Sequence, residues 1–240
     1  MPDPATHQVV RLEQLTRREM RERIQDGTIR LAILPVGSIE QHLEHMAMGH
    51  DINHSTYVAE QVALNVHPHA VVAVPMAIGM SEHHMVHIGS MTAKPGSWLA
   101  VLFDSIESFL RAGIPNVLVL NGHGGNVAPT RGAINQFNRY FDVAKTNVQF
   151  MSYWDVIPRE LSERVLDTKR IPGHAQEFET STGLYLFPDN VRVDRMGDEP
   201  EAAQGTAEKG KVLIEAAIAE VTRVAEAILA GERRAELTGL

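Results

Sequence analysis

The chain of 240 residues is long enough to bury one sizeable core, and its 44% hydrophobic and 22% charged residues suit a soluble globular enzyme. A net charge of −8, from 22 Lys+Arg against 30 Asp+Glu, argues against a nucleic-acid footprint or attraction to an anionic membrane surface. The absence of cysteine excludes disulfides, zinc–thiolate sites and thiol nucleophiles, so any metal must be held by nitrogen and oxygen ligands.

No apolar run approaches a membrane span, and the N-terminal residues show no basic and apolar leader pattern, so a cytoplasmic location is expected. Residues 8–30 form an amphipathic lead-in, with Leu12, Leu15 and Ile24 among charges and Gly27 closing it. The apolar run 31–36 is expected as the first buried strand. A helix is expected over 52–65, a second strand over 70–78 and a second helix over 97–112, stopped by Gly113 and Pro115. Strand three, 116–120, runs into a glycine-rich turn and a helix over 127–141 with Pro129 in its first turn. Strand four is expected over 147–154, with Asp155 opening another helical stretch. A turn-rich acidic segment over 188–205 precedes an amphipathic helix over 207–230, in which Ile214, Ile218, Val221, Ala225 and Ile228 share a face.

Strands alternating with helices imply βαβ units: a single α/β domain spanning 1–240, with a mostly parallel central sheet flanked by helices. Ligands of such folds bind beyond the carboxyl ends of the strands. The polar loops after strands one, two and three all fall there. Nine of the twelve histidines lie between His42 and His87, and the next is His123. After strand one the chain presents Glu40, His42, Glu44, His45, His50 and Asp51, a density of imidazole and carboxylate that suits a divalent cation. In extended backbone Glu40 and His42, two residues apart, share a face.

Other chemistries fit less well. Asn121-Gly-His-Gly-Gly-Asn126 lacks the order of a dinucleotide or P-loop fingerprint, although its glycines would let His123 approach a ligand closely. Gln41-His-Leu-Glu-His45 spells neither zinc-protease pattern, and no G-x-S-x-G elbow exists. Glu177 and Glu179 are open either to metal ligation or to first-turn helix capping. Trp154 is open to core packing or to an aromatic pocket wall.

Gly37-Ser-Ile-Glu-Gln-His42 with Gly49-His-Asp51, then Asn121-Gly-His-Gly-Gly-Asn126, then His174-Ala-Gln-Glu-Phe-Glu-Thr-Ser181, resembles the creatininase (creatinine amidohydrolase) family in block order over about three quarters of the chain. The resemblance implies an α/β fold with two divalent metal ions per chain, zinc or manganese and in some members iron, and a homohexamer. By matching position, Glu40 and His123 would bind one metal, His42 the other, and Asp51 would bridge them. In creatininase a Glu stands where this chain has Gly125. In many relatives the Glu of a His-Ala-Gly-Glu motif takes over, which here is Glu177. Gln176 replaces the glycine of that motif, and Gly173 stands where creatininase has a catalytic glutamate. Ser152-Tyr-Trp-Asp155 resembles the segment whose tryptophan closes over substrate.

The activity implied is hydrolysis of an amide C–N bond, possibly of a cyclic amide, in a small molecule by water activated between two cations. His174 and Glu177 are the catalytic candidates, His174 because imidazole titrates near working pH. His45, Ser81, His84, Gly124 and Trp154 are candidate substrate contacts. Two alternatives are a metal-dependent lyase or isomerase acting on a sugar-derived carbonyl, and a ligand-binding module without catalysis.

Overall fold

The computed structural model describes residues 8–142 and 145–233. Strands β1 (Leu31–Val36), β2 (Ala70–Val72), β3 (Asn116–Asn121) and β4 (Asn147–Ser152) form one parallel sheet in the order β2-β1-β3-β4. β1 and β3 pair from Leu31↔Asn116 to Val36↔Asn121, and β3 and β4 from Asn116↔Asn147 to Asn121↔Ser152. All six residues of β1 are buried, as an inner parallel strand covered on both faces requires.

Side chains alternate between two cores. Leu31, Ile33, Leu118 and Leu120 meet the first core, and Ala32, Leu34, Val117 and Val119 the second. The helices are α1 (Arg17–Gln25), α2 (His50–Asn65), α3 (Pro95–Ala112), α4 (Val127–Tyr140), α5 (Arg159–Val165), α6 (Glu177–Leu186) and α7 (Ala207–Leu229). The first core takes Val58 and Val62 of α2, Phe178 of α6, and Leu213, Ile214 and Val221 of α7. The second takes Trp98, Leu102 and Ile106 of α3 and Ile134 of α4, with Ile24 of α1 packed at its edge. Each fully buried Leu, Ile or Val contributes about 1.5–3 kcal/mol of apolar transfer, so α7 is fastened mainly by its apolar stripe. Among the described residues, no helix is long and apolar enough to cross a membrane.

The structure departs from expectation at three edges. β2 ends at Val72 instead of running to residue 78, because Pro75 has no N–H for the ladder and Val74 turns outward, 58% exposed. The chain then touches β1 once more, through Met76 N–H to the Pro35 carbonyl at 3.0 Å. β4 stops at Ser152, where the Asp155 carboxylate accepts the Ser152 N–H at 3.0 Å and closes a turn. The next helix therefore starts at Arg159, after Pro158, and not at Asp155. α6 occupies the apolar segment after His174, and its first turn bears on the site.

Candidate metal centre

The loops after β1 and β3 and the first turn of α2 converge on one cluster at the carboxyl edge of the sheet. Glu40 and His42 stand on the loop after β1, Asp51 in the first turn of α2, and His123 just beyond β3. Gly122 makes this approach possible: a Cβ there would lie 2.2 Å from the Asp51 carbonyl oxygen, so any side chain would push α2 away from β3.

Asp51 lies between two sets of ligands. Its Oδ2 is 2.9 Å from His123 Nδ1, which is 3.2 Å from Glu40 Oε1. Its Oδ1 is 3.0 Å from His42 Nε2, which is 3.7 Å from Glu179 Oε2. Ligand atoms of Glu40, Asp51 and His123 lie within 4.8 Å of one another, and so do those of His42, Asp51 and Glu179. The outer nitrogens are engaged elsewhere. His42 Nδ1 donates to the Glu40 carbonyl at 3.1 Å, and His123 Nε2 faces the Met80 carbonyl and Ser81 Oγ, each at 3.2 Å. That leaves the inner nitrogen of each ring free for a metal, the usual arrangement of a ligating histidine.

The orphaned atoms test whether these residues fit cations. Glu40 Oε2, His42 Nε2 and Asp51 Oδ2 are buried and make no hydrogen bond of acceptable geometry. Burying carboxylate oxygens unpaired is costly, and a divalent cation supplies the missing partner. The electrostatics agree. Burial opposes charge on His42 and His123, yet Asp51, with Glu179 and Glu40, holds their pKa values up at about 9 and about 10. Burial pushes Glu179 up to about 8 against the pull of His42, with Asp51 and Glu40 adding to the rise. Burial also opposes charge on Asp51, but His42 and His123 hold it down at about 2. The pocket therefore attracts positive charge strongly. Glu40, His42, Asp51, His123 and Glu179 offer nitrogen and oxygen ligands of the kind that hold divalent ions.

Glu177 is not among them, contrary to the sequence expectation. Its carboxylate is fully buried on the other side of α6, accepting from Lys209 Nζ at 2.6 Å and from the N–H groups of Asp167 and Thr168 at 3.0 and 2.8 Å. Two residues along a helix is about 200° of rotation, so only one of Glu177 and Glu179 can face the cluster. Glu179 does, its Oε2 also accepting the Ala175 N–H at 2.6 Å. Nor can position 125 carry a ligand in this backbone: a Cβ on Gly125 would sit 2.3 Å from the Met80 carbonyl oxygen and 2.4 Å from His123 Nε2. The one sign of Glu179 in the sequence is its place two residues after Glu177.

A cavity of about 340 Å³ opens over the cluster, lined by Glu40, Asp51, His123 and Glu179 below and by His84, Gly124 and His174 above. His174 is half-buried, its Nδ1 3.7 Å from Glu40 Oε1. Burial, followed by the His42 charge, pulls its pKa down to about 4. The other candidate contacts lie elsewhere. His45 is buried away from the cavity, with Nε2 2.9 Å from Thr180 Oγ1 in α6. Ser81 is buried between Ser38 and His123 and orients the latter's ring. Trp154 packs in the first core beside Tyr153, ring centroids 5.1 Å apart, and faces a separate surface cavity with Ile157 and Ile171.

Known proteins resemble this chain in sequence and fold. The family model for creatininase, described as creatinine amidohydrolase, matches residues 13–206. The chain is 31% identical to creatinine amidohydrolase of Pseudomonas putida over 202 residues, 79% of this chain and 76% of that protein. It is also 31% identical to 3-dehydro-scyllo-inosose hydrolase of Thermotoga maritima over 183 residues, 75% of this chain but 57% of that protein. A crystal structure of creatininase matches with a TM-score of 0.80 at 25% identity, covering 90% of this chain and 96% of that one. A creatininase variant of Zn-Zn type matches with a TM-score of 0.78 at 25% identity and the same coverage. With a family match over most of its length and its carboxylates and imidazoles gathered on the strand-exit edge, the chain belongs to the creatininase family of metal-dependent hydrolases.

Proposed function

We propose that this hydrolase is a binuclear amidohydrolase that cleaves an amide C–N bond, of a cyclic amide or a similar small molecule. The observation that carries it is Asp51, whose two oxygens face two separate ligand sets on the floor of one cavity. Glu40, His123 and Asp51 would hold one cation, and His42, Glu179 and Asp51 the other, zinc or manganese fitting the donors. When bound, the cations supply Lewis acidity that lowers the pKa of water and stabilises charge developing on a carbonyl oxygen.

The chain's own groups do the rest. His174 overhangs the cavity and is placed to hold a proton over the leaving nitrogen or donate to the carbonyl oxygen. Gly124 leaves the wall open, since a Cβ there would meet nothing within 4 Å. A volume near the lower end of small-molecule pockets suits a compact ring, and two relatives are named for small rings, creatinine and an inosose. Gly173 supplies no carboxylate beside His174, which favours a substrate other than creatinine. A cytoplasmic homo-oligomer, a hexamer by family resemblance, belongs to the same proposal. Val86 and Ile88, exposed on the loop that carries His83 and His84, support a subunit contact. Identity to the Thermotoga maritima hydrolase favours a second substrate class, a sugar-derived ring carbonyl.

The test is turnover of five- and six-membered cyclic amides and ring ketones by zinc- or manganese-loaded protein in ¹⁸O-water, followed by mass spectrometry. The expected result is ring opening with one ¹⁸O in the product, abolished by chelation. Turnover without ¹⁸O would assign a lyase or isomerase, and no turnover by fully loaded protein would contradict catalysis on these classes. Zinc uptake provides a second check. At pH 8 the metal-free protein keeps His42 and His123 protonated, because their pKa values lie at about 9 and about 10. Ligation requires both rings unprotonated at the inner nitrogen and Glu179, pushed up to about 8, ionised, so zinc should displace roughly two to three protons per chain. Calorimetry in buffers of different ionisation enthalpy measures that number, and uptake without proton release would contradict the ligand set.

A further inference from the structure

Gln41, between the ligands Glu40 and His42, makes contacts that the metal centre does not require. Its Nε2 lies 2.8 Å from His84 Nδ1 and 2.8 Å from His174 Nε2. Its Oε1 accepts the Leu43 N–H at 2.9 Å, and its own N–H donates to Ser90 Oγ at 3.0 Å. The Leu43 contact fixes which end of the amide is oxygen, because a backbone N–H can only donate. The NH₂ group therefore faces the two imidazoles, and its two hydrogens match two acceptors.

We infer that Gln41 is a positioning residue that fixes the tautomers of His84 and His174, so that both present N–H to the substrate cavity and neither ligates a metal. The inference rests on the binuclear centre proposed above and deepens it. A ring nitrogen that accepts from an amide N–H carries a lone pair, so the proton of the neutral ring sits on its other nitrogen. That places N–H on His174 Nδ1 and on His84 Nε2. Each of these atoms is 3.7 Å from Glu40 Oε1, beyond hydrogen-bond range and therefore available to a substrate oxygen or nitrogen. The two rings stack with centroids 4.4 Å apart, which keeps both donors over the cavity.

This sorts the imidazoles around the metals by what their outer nitrogen does. His42 and His123 point their outer nitrogen at backbone carbonyls, which accept, and so offer a bare inner nitrogen to a cation. In His84 and His174 the outer nitrogen accepts, and the inner one carries hydrogen. Geometry alone would admit Glu40 with His42 and His174, or Glu40 with His83 and His84, as further ligand groups. The Gln41 amide removes both. It also leaves His174 a neutral ring with an N–H aimed at the cavity, the form that an oxyanion donor needs at the start of a reaction.

Long-range ¹H–¹⁵N correlation spectra of zinc-loaded protein labelled at histidine read each ring directly, with His84→Gln and His174→Gln supplying the assignments. The expected result is a protonated Nδ1 and bare Nε2 for His174, the reverse for His84, and two zinc ions per chain retained in both variants. In Gln41→Glu, whose carboxylate can only accept, both tautomers should invert at unchanged zinc content. For any substrate the wild type turns over, kcat should fall by about 10²-fold. A wild-type His174 protonated at Nε2, or a zinc ion lost from His174→Gln, would overturn the inference. If the protein binds no zinc, the centre itself fails, while the tautomers in metal-free protein still decide the role of Gln41. Gln41→Leu offers a second variant, expected to release both rings from a single tautomer.

Discussion

Replacing Asp51 with asparagine is expected to empty both metal positions while leaving the fold standing. The substitution is nearly isosteric, and Asp51 opens α2, whose packing is carried by Val58 and Val62. The charge is what changes. One carboxylate oxygen faces His42 and the other faces His123, so an amide would aim NH₂ at one cation and remove shared negative charge from both. Metal content after dialysis should fall from two per chain toward zero, and hydrolysis by about 10³-fold or more, since the charge-stabilising groups leave together. Elemental analysis beside a kcat measurement checks this. Two metals retained with near-normal turnover would show that Asp51 is not the bridge.

The second large effect separates two glutamates that are neighbours in sequence and opposed in space. Glu179→Gln should lose one metal of two and about 10²–10³-fold in rate, with little change in unfolding midpoint, because glutamine can still accept the Ala175 N–H. Glu177→Gln should keep both metals but cost about 2–3 kcal/mol of stability. It removes the buried charge that Lys209 and two backbone N–H groups converge on, and leaves the ammonium with the exposed Asp167 and the Gln204 carbonyl. Urea denaturation and metal analysis on the same preparations give both numbers. The reverse pattern, metal lost with Glu177 and stability with Glu179, would restore the assignment that the family resemblance implies.

That reversal marks where sequence stops being enough. The apolar strand 31–36 and the placing of His-bearing loops at strand ends follow from composition and periodicity, and the structure reproduces them. Glu40 and His42 follow from their two-residue spacing, while Asp51 and His123 came from motif order, and the four converge. Which of Glu177 and Glu179 turns inward depends on where α6 begins. One residue of phase is about 100°. The start is set by Ala175 at φ 50° and Gln176 at the N-cap, and by Lys209 on α7, about thirty residues away, which claims Glu177. No local pattern contains that partner. Trp154 is similar. Its residue type favoured core packing and the family resemblance a pocket wall; the turn closed by Asp155 sends it into the core. Gln41 was visible only as the residue between two ligands, and its two imidazole partners lie 43 and 133 positions away.

Anomalous diffraction from crystals of the zinc-loaded protein tests the binuclear centre most directly. The expected result is two peaks per chain about 3.5–4 Å apart, with Asp51 between them. One peak should touch Glu40 and His123, and the other His42 and Glu179. A single peak, or density against Glu177 or His174, would contradict it.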